Sequence, residues 1–265
     1  DSLAPFLFRE DGTLVKRASH CVSLEEVEEM QEEYFLGSFL CGRDVTAADM
    51  VWAPYLERYA VQLPLLFPNS RSCDPRSKAY EEVSAWYASM ERLPEYACRV
   101  QGDARHWRRC LELAVSAHNN RAVGDEEKVT GLPPVPDKFG WWMRKNPQGE
   151  ALWKEYAESR PWLADTPGGE VASYLMRNRE EVAASAALGT GMAPDVADEA
   201  LREVVQLLVA GGGVDDEGDE GLSENGCRLA RYVSETLQVP RDVGMIPALA
   251  LGELVQSSLL TESKV

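Results

Sequence analysis

The stretch TAADMVWAPYLERY, residues 46–59, constrains this chain more than any other, because it carries both a helix start and a helix face. Thr46 suits an N-cap. Asp49, three residues on, can reach back to the backbone N–H of Thr46 as a variant capping box. Val45 and Met50 stand where a hydrophobic staple would close around that start. From there Trp52, Tyr55, Leu56, Tyr59 and Leu63 recur at i, i+3, i+4, i+7 and i+11 and so line one helical face, with Pro64 and Pro68 expected to end the helix. A face this heavy in aromatic surface has to be covered by other helices, which points to a mainly α protein.

Further helical stripes follow. SKAYEEVSAWYASMERLPEY places Tyr80, Val83, Tyr87 and Met90 on an inner face with Trp86 beside them. Pro94 suits the first turn of a third helix, expected to carry Tyr96, Val100, Trp107, Cys110, Leu111 and Ala114 as far as Ala117. Near the start, Asp11-Gly12 lies between two short apolar stretches, a hairpin signal, and a helix is expected through Leu24, Val27 and Tyr34. Between 119 and 170 the composition changes: TGLPPVPDKFG and ADTPGG are rich in breakers, and Trp141, Trp142, Trp153 and Trp162 lie between them. That much aromatic surface on an irregular arm packs either onto the protein's own bundle or onto a partner. The last third reads as helices at 171–187, 196–210, 224–238 and 246–260, with the acidic connector GGGVDDEGDEG after the second. Four segments result: 1–35, 36–118, 119–170 and 171–265.

Charge narrows the partners. Against 44 acidic residues stand 27 basic ones, a net charge of −17, which opposes phosphate backbones and anionic lipid; nucleic acid is not an expected partner. No run approaches the ~20 apolar residues of a membrane span, so no transmembrane segment is expected. The six cysteines form no CxxC pair and read as buried, reduced thiols. Three histidines, His20, His106 and His118, lack metal-ligand spacing, so no metal site is expected. RHWRR at 105–109 is a basic island that suits a solvated helix face, an anion contact or a salt-bridge dock. His106 beside Trp107 could also serve as a haem-type ligand. No nucleophile elbow, P-loop or GxGxxG is present.

FLCGRDVTAADMVWAPYLERY resembles the capping-box helix in the C-terminal domain of glutathione transferases, and AWYASMERLPEY resembles a downstream pattern of the same domain. The resemblance implies a glutathione-transferase C-terminal-like helical bundle over 36–118, in which Thr46 and Asp49 fix the central helix structurally. APFLFREDGTLVKRASHCVSLEEVEE resembles the second half of that family's thioredoxin-like domain, a small α/β segment. It implies that Pro5, with neighbours Ala4 and Phe6, and Ser19 would contact glutathione as a cofactor. Ala18 stands where the family has an acidic or amide residue, a loss worth about 1–3 kcal/mol if the remaining groups stay buried. The strand and helix carrying the family's activating residue would precede Asp1, and two long helices before the capping-box helix have no counterpart. YVSETLQVPRDVG resembles an extension of plant and algal relatives, which implies a chloroplast location, with the cytoplasm as the alternative.

The function expected on these grounds is a non-catalytic, glutathione-transferase-like docking subunit of an organellar assembly, such as a membrane-bound photosynthetic or respiratory complex. Trp141, Trp142, Trp153 and Trp162 would be its docking residues. Two alternatives stand beside it. One is a glutathione-dependent thiol transferase or reductase whose catalytic segment precedes Asp1. The other is a carrier of an apolar or tetrapyrrole ligand in an aromatic cleft around Trp52, Tyr55 and Tyr59.

Overall fold

The structure is a computed structural model that describes residues 37–67, 74–121, 131–136, 140–143, 146–211 and 221–262. The protein is mainly helical, and among the described residues no strand forms beyond an isolated bridge between Phe39 and Gly42. The hairpin expected at Asp11-Gly12, the thioredoxin-like segment, Pro5 and Ser19 lie outside the described residues. Two compact units divide the chain, Asp1–Leu93 with Gly102–Asp137, and Pro94–Gln101 with Lys138–Val265. This differs from the four segments drawn on composition: the first unit takes in the start of the breaker-rich arm, and eight residues after Leu93 belong to the second unit.

In the first unit, α1 (Ala47–Leu66) starts at Thr46 as its sequence expects. It continues two residues beyond Pro64 and contains Pro54 as well, so neither proline stops it where propensity would. Its buried face holds Ala53, Leu56, Tyr59 and Leu63, while Trp52 and Tyr55 are half-buried and meet edge to face. α2 (Glu81–Met90) buries Val83, Trp86, Tyr87 and Met90. α3 (Ala104–Arg121) packs against α1 and buries Trp107, Leu111 and Val115.

The third helix expected from Pro94 onward is interrupted. Tyr96–Val100 form a π-helical turn, Gln101–Asp103 leave helical geometry, and α3 then begins afresh. Asp103 explains the restart, since its carboxylate accepts the N–H of His106 at 2.5 Å in N-cap fashion. Gly102 permits it, because a Cβ there would meet the Trp107 indole at 2.5 Å.

The second unit is a helical bundle of α4 (Gly149–Glu158), α5 (Pro167–Arg177), α6 (Arg179–Thr190), α7 (Pro194–Ala210), α8 (Glu224–Thr236) and α9 (Met245–Glu262). α7 packs on α5, α6 and α8, and α9 packs on α5, α8 and the π-helical turn. Val171, Leu175, Leu201, Val204, Leu229 and Leu251 form the fully buried centre of this core. The helix starts are locally encoded: the Thr166 hydroxyl accepts from Gly169 N–H at 3.0 Å, and the Ser223 hydroxyl from Gly226 N–H at 3.1 Å. The single helix expected at 171–187 is two helices joined at Asn178, and α4 forms inside the arm that read as irregular.

Candidate functional site

Asp49 organises the start of α1. It is fully buried, and its carboxylate accepts from the backbone N–H of Thr46 at 2.7 Å and the Thr46 hydroxyl at 2.9 Å, the two contacts the local pattern supplies. It also accepts from the N–H of Leu40 at 2.8 Å and the indole N–H of Trp86 at 2.9 Å. Burial alone would raise this carboxyl, but the hydrogen bonds from Leu40, Thr46 and Trp86 outweigh it and hold the group below its usual range. Thr46 and Asp49 therefore do structural work, tying α1 to α2 as well as capping it.

A second tie lies about two turns further along α1, at Glu57. The Arg76 guanidinium stacks on Tyr87 at 3.8 Å from the ring centre and pairs with Glu91 at 2.9 Å and Glu57 at 3.4 Å. Glu91 is pushed up by burial, against the pull of Arg76. With its arginine so engaged, this group is a brace rather than a reactive site.

The seam between α1 and α3 is different in kind. Gln62 is fully buried, and its amide nitrogen donates to the Trp107 carbonyl at 2.9 Å. Arg58, one turn earlier on α1, places its guanidinium 5.3 Å from the Trp107 ring centre. Three buried atoms here have no hydrogen-bond partner among the described residues: Arg58 Nε, Gln62 Oε1 and Trp107 Nε1. On α3, Cys110 Sγ lies 3.7 Å from His106 Nε2. Burial pushes the Cys110 thiol up, against the pull of Arg58 and Arg109. Asp103 is pushed up to about 6 by burial, with Arg105 opposing at 3.0 Å.

The basic island RHWRR is only partly a solvated face. Arg108 is buried and donates to Glu112 at 2.7 Å and the Pro133 carbonyl at 2.6 Å; Arg109 is exposed. Among the described residues, no group of three or more His, Cys, Asp or Glu is placed to hold a metal ion. Of the aromatic cleft residues, Tyr59 is core, and burial raises its hydroxyl far above its ordinary value.

The four arm tryptophans separate sharply in the second unit. Trp153 is 2% exposed and its indole donates to the Ala164 carbonyl at 3.0 Å; Trp142 is buried and Trp141 half-buried. Buried rings offer no docking surface, so of the four only Trp162, 76% exposed, stands clear in solvent. Its turn is firmly held. Arg160 stacks on Tyr156 at 4.0 Å and donates to the Tyr156 carbonyl at 2.6 Å, Leu163 N–H donates to the Arg160 carbonyl at 2.9 Å, and Ala164 N–H to Glu170 at 3.0 Å. Pro161 fixes φ immediately before the ring.

Arg58 and Gln62 escaped the sequence reading, which followed only the apolar stripe of α1. The available signal was a glutamine within that stripe, between Tyr59 and Leu63. Set against protein-family models, curated proteins and solved structures, the chain matches none. Among the described residues no helix is long and apolar enough to cross a membrane.

Proposed function

We propose that this chain is a glutathione-transferase-like helical protein that serves as a non-catalytic docking subunit of an organellar assembly, in the chloroplast. Trp162 carries the reading. A tryptophan 76% exposed on a turn held by a proline, a cation–π stack and backbone hydrogen bonds is a rigid anchor that loses little freedom when a partner covers it. Its occupant under this reading is a protein surface with an apolar pocket and a basic rim, the complement of a chain of net charge −17.

Neither Cys98 nor Cys110 is poised as a nucleophile. A nucleophilic cysteine needs a lowered pKa, whereas burial raises Cys110 and pushes Cys98 up to about 12, so both stay protonated near neutrality.

Sizing of the native protein in a gently solubilised extract, set against a free chain of 29.4 kDa, tests the proposal. Migration with a large assembly that survives moderate salt, and its loss in Trp162→Ala, is the expected result. Migration as a free monomer or dimer would overturn it.

A further inference from the structure

The seam between α1 and α3 contains a set of polar atoms that the fold itself does not use. Arg58 Nε, Gln62 Oε1 and Trp107 Nε1 are buried without partners among the described residues, and all three belong to side chains gathered about one tryptophan. Unmatched groups of this kind are costly, so a seam that retains three of them on side chains meeting at one residue, Trp107, suits a polar occupant.

The chemistry of the three atoms defines that occupant. Gln62 cannot exchange its amide ends, because Nε2 is committed to the Trp107 carbonyl at 2.9 Å and a flip would set oxygen against oxygen. The free end is therefore an acceptor. An indole nitrogen only donates, and so does the guanidinium. Arg58 also carries an unneutralised charge. Arg76, Arg105 and Arg108 each pair with a carboxylate, whereas among the described residues Arg58 makes no ion pair and lies over the face of Trp107.

We propose that Arg58, Gln62 and Trp107 form a binding site for a small oxyanion that carries its own hydrogen-bond donor, as a 2-hydroxycarboxylate or a hydrogen phosphate does. The anionic oxygens accept from Arg58 and Trp107, and the ligand's hydroxyl donates to Gln62 Oε1. Acetate and sulfate bring the charge without the donor and leave Gln62 unmatched. The site involves neither Trp162 nor any thiol, so it stands or falls separately from the docking role.

Calorimetric titration of the full chain near neutral pH with two matched pairs, glycolate against acetate and hydrogen phosphate against sulfate, is the test. The donor-bearing member of at least one pair should bind tighter by about tenfold or more, the worth of one hydrogen bond to a buried acceptor. Which pair shows the larger ratio distinguishes a carboxylate ligand from a phosphate one. Arg58→Met should abolish the heat. Arg58→Lys, which keeps the charge on a different head group, should weaken binding by about tenfold, and amide exchange in α1 and α3 reports whether each variant is folded. Equal binding within both pairs, no binding of any of the four anions, or binding that survives Arg58→Met would each overturn the proposal.

Discussion

Replacing Asp49 with alanine should loosen the first unit by an amount that can be worked from its hydrogen bonds. The carboxylate serves the N–H of Leu40 at 2.8 Å and the Trp86 indole at 2.9 Å in buried surroundings, and Thr46 twice at the helix start. Each buried donor left without an acceptor costs about 1–3 kcal/mol, and loss of a cap about 1 kcal/mol. Relaxation of the vacated site recovers part of this, so a loss of about 3–5 kcal/mol is expected. That is a large share of a typical domain's stability. A chain of two compact units need not unfold in one step, so peptide-resolved hydrogen exchange in α1 and α2 is the suitable assay. A second variant checks the mechanism. Trp86→Phe removes one of the orphaned donors, so the double variant should cost less than the sum of the two single ones. The effect also has a pH signature. Because the folded carboxyl sits below its ordinary value of 3.8, its stabilisation is complete above that pH and is lost as pH falls below it. The gap between wild type and Asp49→Ala should therefore narrow in acid. A loss under about 1 kcal/mol, or strict additivity with Trp86→Phe, would refute the argument.

Asp103 should show the opposite pH sign. Its folded value of about 6 lies above the ordinary 3.8, so stability is greatest below 3.8 and is lost as pH rises through about 6. Asp103→Asn keeps an oxygen for the His106 N–H, and exchange measured across that range should shift in the variant's favour as pH rises. In the arm, Trp153→Ala should cost about 3–5 kcal/mol by thermal or urea melt, as a buried ring is lost. Trp162→Ala should stay within about 0.5 kcal/mol of wild type in the same melts, and a large loss there would show that the ring supports the fold. Gly244→Ala would set a methyl 1.5 Å from the carbonyl oxygen of Cys98, backbone against backbone, and should destabilise the second unit by about 3 kcal/mol in hydrogen exchange.

The sequence by itself determined what depends on neighbours a few residues apart. The start of α1 was legible because Thr46 and Asp49 meet within one turn, and the helix stripes of α2, α3, α7 and α8 were legible because apolar spacing follows the helical period. Where local preferences compete, the tertiary structure decided. Pro64 sits within α1 rather than at its end, and Gly102 and Asp103 split a continuous stripe into a π-helical turn and a new helix. The third and fourth hydrogen bonds of Asp49 come from residues 9 and 37 positions away, and no spacing rule announces them. Trp153 and Trp162 lie nine positions apart in the same breaker-rich arm, yet one is core and the other stands in solvent. Residue type fixes how much apolar surface a side chain carries, whereas burial depends on what the rest of the chain brings to cover it. The same holds for Arg58 and Gln62. Their side chains are ordinary on a helix surface, and they become a site only because α3 packs Trp107 over them and leaves their remaining polar atoms unmatched.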